Sequence, residues 1–367
     1  MNAPTPAREE DQAAAAPGAP RGRGGPRRIG LWGAPGCGKT TFLAALRIAV
    51  EDGAHRVRLT GLNDNSTAFL ADATQRLKVD HRFLPATSTL PPNLAWELLG
   101  MRREWTRRRF AGLPFRWPDD VPYTVRLDVL DAPGGMYGGR RAEQSAPGPS
   151  RVRFSSAAEP QAEEAAAGGA PVSDEARLVE HLASCDGLLF LFDPTREREM
   201  NDAYDYFQRT VLEISQRAAR SRTDHQLPQH LAVCVTKFDH PEVYEKAVKH
   251  GYATPPPDIF GMPRVTETQA LPFLKELYRG THTHETVDAL LNSITTHFHE
   301  RRTGYFVTSA VGFYRDPRER RFMPEDYLNV IAHQDADGET GDLIRGDVCP
   351  INVLEPVLWL LDRVGAR

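Results

Sequence analysis

Cysteine is scarce in this chain. There are four in 367 residues, Cys37, Cys185, Cys234 and Cys349, scattered and without a CxxC pair. That spacing supports neither a disulfide framework nor a zinc site, and it suits a reducing cytoplasm. Long apolar runs are missing too. A run such as Leu188 to Phe192 falls far short of the roughly 20 residues that span a bilayer. No apolar stretch near the N-terminus has the form of a signal peptide. The expectation is a cytoplasmic protein without a transmembrane segment. Charge of one sign is not in excess either. The net charge of -4 argues against a general polyanion partner, so no nucleic acid is expected. No internal repeat is visible.

What remains is ordinary globular material, 40% hydrophobic and 26% charged, in a length that suits one large domain or two small ones. Residues 1–27 are mostly Ala, Pro, Gly and charged side chains. They bury too little apolar surface to offset the entropy of ordering and are expected to form a disordered tail. A stretch at about 138–172, with SAPGPS and AAEPQAEEAAAGGAP, has the same character. It reads as a flexible insert within one domain at 28–367, because the motifs on either side belong to one fold.

Between these stretches the chain alternates. Strands are expected at Arg28 to Trp32, His55 to Gly61, Asn93 to Met101, Tyr123 to Leu130, Asp186 to Phe192, Leu231 to Val235 and Tyr305 to Thr308. Helices are expected at Lys39 to Glu51, Thr67 to Val79, Met200 to Arg220, Thr266 to Tyr278, Glu285 to Phe298 and Val353 to Val364. Strands alternating with helices predict an α/β fold, a mainly parallel sheet with helices on both faces.

Gly33-Ala34-Pro35-Gly36-Cys37-Gly38-Lys39-Thr40 fits G-x-x-x-x-G-K-[ST]. Glycines let successive N–H groups turn toward one point and form an anion nest. The helix that starts at Lys39 adds the positive end of its dipole. In such a loop the Lys39 ammonium reaches the β- and γ-phosphates and the Thr40 hydroxyl ligates Mg²⁺. Thr41 follows at the helix start. A strand before and a helix after are what this mechanism requires.

Three features downstream bear on the base. The strand ending Val129-Leu130 runs into Asp131-Ala132-Pro133-Gly134. A carboxylate at a strand's end can hold Mg²⁺, and Gly134 lets a backbone N–H approach the γ-phosphate. The strand at Leu231 to Val235 runs into Thr236-Lys237-Phe238-Asp239. An aspartate accepts from both the N1–H and the exocyclic amine of guanine, a donor pair that adenine lacks. The lysine stem can lie over the base. The strand at Tyr305 to Thr308 ends in Ser309-Ala310-Val311, where a small residue lets a backbone N–H reach the guanine O6. Each motif sits at the C-terminal end of a predicted strand, and in an open α/β sheet those ends line one crevice.

On these motifs the sequence resembles a GTPase of the translation-factor and Ras-like class. GAPGCGKT is similar to its first motif, DAPG to its third, TKFD to its fourth and SAV to its fifth. FLADATQRL, FLPATSTLPPNLAWELLG and the strand ending in DAPG are similar to bacterial double-GTPase proteins. The resemblance implies a three-layer P-loop NTPase G domain with one antiparallel edge strand at Asn93 to Met101. It also implies bound GTP or GDP with Mg²⁺, and a regulatory or effector partner, another GTPase among the candidates. The class uses a mobile threonine to cap Mg²⁺ and the γ-phosphate. Thr87 in Leu84-Pro85-Ala86-Thr87-Ser88-Thr89 fits best, with Thr89 as the alternative.

One departure concerns catalysis. Many relatives place a water-orienting glutamine after the DxxG glycine, whereas here Gly135 follows Gly134. Pro35 also stands where many relatives have glycine. Slow hydrolysis is expected, with a partner supplying the missing group. The alternatives are a GTP-binding scaffold without significant hydrolysis and a P-loop ATPase or kinase.

Other features are assigned no chemistry. Arg102, Arg103 and Arg107 to Arg109 cluster around Trp105, as on a solvated hairpin or effector surface. His282, His284, His297 and His299 lack the spacing of a metal site. Residues 240–300 far exceed a minimal crossover and read as a helical elaboration.

Overall fold

The computed structural model describes residues 27–53, 57–84, 94–110, 113–129, 174–219, 226–254, 261–334 and 340–364. Most of the tail expected at 1–27 and the insert expected at 138–172 lie outside these residues. The architecture is a three-layer α/β domain built on a seven-stranded sheet.

The strands are β1 (Arg27–Gly33), β2 (Val57–Gly61), β3 (Ala95–Phe110), β4 (Leu113–Val129), β5 (Gly187–Phe192), β6 (His230–Val235) and β7 (Thr303–Val307). Their spatial order is β2-β3-β4-β1-β5-β6-β7. From β4 to β7 the pairing is parallel, and β3 runs antiparallel to both its neighbours. The expected antiparallel strand is therefore present, but one position in from the edge, because β2 adds outside it. β3 and β4 are also longer than their apolar patterns suggest. They pair as one hairpin out to Phe110 opposite Leu113, and Arg107 of the basic cluster lies opposite Arg116 in its outer half.

The helices are α1 (Lys39–Asp52), α2 (Asp64–Lys78), α3 (Asp174–Ser184), α4 (Pro194–Met200), α5 (Ala203–Ala219), α6 (Pro241–Lys249), α7 (Glu267–Tyr278), α8 (His284–His297) and α9 (Glu355–Val364). α2 starts before the predicted Thr67, because the Asn63 side chain caps it, accepting from Ser66 N at 2.7 Å. The helix expected at Met200 to Arg220 is α5, and the short α4 before it was not expected. Asn201 takes a left-handed φ of 49° and ends α4. The Glu197 carboxylate then accepts from Ala203 N at 2.8 Å, at the start of α5.

The central strands are buried on both faces, which their continuous apolar runs require. Alternation along each strand feeds two separate cores. Leu188, Phe190 and Phe192 of β5 join Leu231, Val233 and Val235 of β6 in the core under α3, α5, α7 and α8. Leu189, Leu191, Ala232 and Cys234 face the opposite core, under α1, α2 and α9. Trp32 stacks in the first core with its centroid 4.7 Å from Phe190 and 5.3 Å from Phe207. This packing fixes where the C-terminal ends of β1, β5, β6 and β7 sit. A second sheet, β8 (Val330–Gln334) with β9 (Thr340–Ile344), follows β7 as an antiparallel pair that no sequence motif announces. Among the described residues no helix is long and apolar enough to cross a membrane.

Candidate nucleotide-binding site

Parallel pairing brings the ends of β1, β5 and β6 to one edge of the sheet, since Gly33 pairs with Leu191 and Phe192 with Val235. β7 joins them there, with Val307 beside Val235. β4 ends at the same edge, where Val129 pairs with Leu31. Asp131 and Gly134, just beyond β4, lie outside the described residues, as do Thr87 and Thr89.

The loop after β1 turns tightly. Gly36 and Gly38 have φ of 74° and 89°, a region open to glycine and costly for other residues. Gly33 is required for a different reason. A Cβ there would meet Leu191 O and Cys37 Sγ, each at 2.7 Å. The Cys37 thiol thus packs behind the loop, 1% exposed. α1 begins with Gly38 as its cap, without a side-chain cap bond and without an acidic residue in its first turn. Its dipole therefore meets no protein carboxylate on its own first turn. The buried Lys39 ammonium arches back over the loop, donating to Gly33 O at 3.0 Å and Ala34 O at 3.2 Å.

The loop after β6 is anchored by Phe238, which is fully buried against Tyr244 and Phe313 and donates its N–H to Thr308 O at 3.0 Å. Lys237 precedes it with a left-handed φ of 57°. Its ammonium donates to Thr195 Oγ1 at 2.7 Å and pairs with Asp193 Oδ2 at 2.8 Å. Asp193, missed by the sequence analysis, follows β5 and is 5% exposed. Its other oxygen accepts from Thr195 N, Thr195 Oγ1 and Arg196 N, capping α4. The Asp-Pro-Thr run after a buried strand signals such a cap, but only the sheet order brings it to Lys237.

Asp239 follows the anchor. Its Oδ1 accepts from the buried Ser309 hydroxyl at 2.5 Å. Burial pushes the Asp239 carboxyl above its ordinary range, and the Ser309 hydrogen bond opposes that rise. Ser309 Oγ in turn accepts from Gly312 N at 2.7 Å. The backbone N–H of Ser309 donates to Ile351 O at 3.0 Å. Ala310, not Ser309, is the residue of this pair that lines the open space.

That space is a cavity of about 450 Å³. It brings together Gly36, Cys37 and Gly38 from the phosphate-loop motif, Thr41 from the start of α1, Thr236, Lys237 and Asp239 from TKFD, and Ala310. Gly33, Ala34, Pro35, Lys39 and Thr40 shape the loop and helix start without lining the cavity, and Ser309 supports Asp239 from behind. The volume falls in the range of small-molecule sites, roughly 300–1,000 Å³. The far wall holds Phe83 and Leu84, from the start of the FLPATSTLPPNLAWELLG stretch, and residues no motif identified, His240, Leu328, Val330 and Asp342. Among the described residues no group of three His, Cys, Asp or Glu side chains could hold a metal ion.

No protein-family model matches the chain, and no curated protein matches it. Solved structures give weak likenesses. Sup35 complexed with GDP is 9% identical with a TM-score of 0.24, covering 78% of this chain and 38% of that one. The signal recognition particle receptor SRb-GTP/SRX complex from Chaetomium thermophilum is 12% identical with a TM-score of 0.29, covering 81% of this chain and 97% of that one. Sup35 complexed with GMPPNP is 11% identical with a TM-score of 0.25, covering 89% and 63%. The chain thus spans less than two thirds of either Sup35 chain. At these TM-scores the overall superpositions are poor, and the functional reading rests on the residues.

Proposed function

We propose that this chain is a GTP-binding molecular switch that hydrolyses GTP slowly, with a partner's help. The observation that carries the reading is the Asp239–Ser309 pair facing, across one cavity, a phosphate-loop motif with Gly36 and Gly38 at positive φ. A carboxylate held by a serine suits the guanine N1–H and amine. An uncapped helix start with a buried lysine suits phosphates. In this reading the loop from Gly33 to Gly38 wraps the phosphates and Lys39 neutralises the β- and γ-phosphates. Thr40 and Thr41 sit at the helix start. Lys237 lies over the base, Thr236 supports its loop, and Ala310 meets the guanine O6.

The residues fit a nucleotide better than they define a metal. The Thr40 hydroxyl belongs to the Mg²⁺ set, together with Asp131 and Thr87 from outside the described residues. Mg²⁺ would supply charge neutralisation on the phosphates. Gly134 would approach the γ-phosphate, and Gly135 in place of a glutamine supports the slow rate. The reading extends to one G domain over 28–367 acting with regulatory or effector proteins in the cytoplasm.

Equilibrium binding of labelled GDP, GTP and ATP to the purified chain tests this. Guanine nucleotides should bind in preference to ATP, and Asp239→Asn should shift preference toward xanthine nucleotides. Preference for ATP would overturn the assignment. A GTP-binding scaffold is the second reading, favoured by Gly135, and single-turnover phosphate release separates the two.

A further inference from the structure

The far wall of the cavity is built by a segment outside every motif. Leu328, Val330 and Asp342 reach it from the β8–β9 hairpin and its approach. The hairpin is pinned at both sides. At one side Asn329, 1% exposed, donates through Nδ2 to Val311 O and to Asp347 O, each at 3.2 Å. Its Oδ1 accepts from Gly346 N at 2.9 Å. Val311 itself lines the cavity beside Ala310. At the other side Ile344 N donates to His81 O at 2.9 Å, and Leu343 bridges to Arg82. The hairpin therefore spans from the base end of the cavity to the segment that carries Phe83 and Leu84.

Register decides which of its residues point inward. Val330 lies opposite Ile344, and Ala332 opposite Asp342. Residues opposite each other share a face, and so do residues two apart along a strand. Ile344 is 1% exposed and belongs to the core, so Asp342 is on the inward face. Inward faces of two-stranded hairpins are ordinarily apolar. Here a carboxylate occupies that face at the cavity wall. It is exposed there, and among the described residues it has no ion pair or hydrogen bond.

The chemistry of the ligand selects its partner, and this step rests on the guanine-nucleotide reading above. Phosphates are anionic, belong to the loop end and would be repelled by a second carboxylate. The N1–H and amine of guanine are matched by Asp239. The remaining donors on the nucleotide are the ribose hydroxyls. We propose that Asp342 accepts a hydrogen bond from a ribose hydroxyl of the bound nucleotide, and that the β8–β9 hairpin forms the outer wall of the nucleoside site. A third specificity element then reads the sugar, beside those that read the phosphates and the base.

The test compares GDP with 2′,3′-dideoxy-GDP by equilibrium titration of the full chain and of Asp342→Ala and Asp342→Asn. The unaltered chain should favour GDP by about tenfold, the usual worth of a hydrogen bond to a charged group. Asp342→Ala should bind both nucleotides alike, at the level of the dideoxy compound, and Asp342→Asn should retain part of the preference. Two results would overturn the proposal. One is equal binding of both nucleotides by the unaltered chain. The other is a loss in Asp342→Ala of the same factor for both, which marks a merely structural role. If the unaltered chain bound no guanine nucleotide, the broader reading would fail first. GDP binding without sugar discrimination overturns the ribose contact alone.

Discussion

The Lys237 ammonium sits 2.8 Å from the Asp193 carboxylate, joining the end of β6 to the end of β5. The lysine side chain is 42% exposed and the aspartate side chain 2%. The buried partner is thus fixed by its helix cap, and the exposed one is held in place by it. A long, flexible side chain gains a defined position at the cavity in this way. Asp193→Ala should lower GDP affinity by about tenfold and reduce stability by about 1 kcal/mol, the usual cost of a lost N-cap. Asp193→Asn keeps the cap acceptor but not the charge, so it should recover the melting temperature more fully than the affinity. Nucleotide titration and thermal unfolding of both variants check this.

If Asp239 reads guanine as proposed, it ties nucleotide binding to pH. Desolvation raises its carboxyl and the Ser309 hydroxyl lowers it. Guanine recognition needs the ionised form, so affinity should fall as pH drops through the raised value, at higher pH than an ordinary aspartate would give. Ser309→Ala removes the lowering hydrogen bond and should move that midpoint further up. A pH series of GDP dissociation constants measures the shift. An unchanged midpoint would separate Asp239 from base recognition.

Glu197 makes a second pH-dependent contribution, this one to folding. Burial raises its carboxyl from 4.5 to about 7. The unfolded chain releases this proton near 4.5 while the folded chain keeps it to about 7. The group's stabilising contribution is therefore fully present below the unfolded value and is lost as pH rises through the folded one. Glu197→Gln keeps a carbonyl to accept from Ala203 N and removes the ionisation. It should stabilise the protein at pH 8 relative to pH 5, by up to about 3 kcal/mol. Denaturant unfolding at the two pH values reads the difference.

Glycines of the phosphate loop should separate binding from folding. Gly36→Ala meets no atom within 4 Å, so its cost is the left-handed backbone alone, about 1 kcal/mol. It should weaken nucleotide binding by distorting the loop while leaving the fold largely intact. Gly33→Ala collides with Leu191 O and Cys37 Sγ, and the backbone oxygen cannot swing aside. Its melting temperature should fall more than that of Gly36→Ala. Thermal unfolding without nucleotide ranks the two.

Much of the fold was legible because its signals are local. Ile29 to Trp32, Leu188 to Phe192 and Leu231 to Val235 are continuous apolar runs, and such runs suit strands covered on both faces. The phosphate loop was legible because positive φ at Gly36 and Gly38 demands glycine at fixed offsets from a lysine. TKFD and SAV were legible as strand-end motifs. Less legible was α4, a helix of seven residues, too short to show a periodic stripe. The outward extension of β3 was hidden as well, since Arg102, Arg103 and Arg107 to Arg109 leave it no alternating apolar face.

Residue types and spacing by themselves determined the α/β class, the tight loop with glycine at positive φ before α1, and the aspartate that follows β6. They did so because backbone stereochemistry and strand burial act over a few residues. Tertiary structure alone decided that Asp193 holds Lys237, that Ser309 holds Asp239, and that Asp342 closes the cavity from the far side. The first two pairs stand 44 and 70 residues apart in the chain. Only the strand order and the pinning of the β8–β9 hairpin bring them within reach.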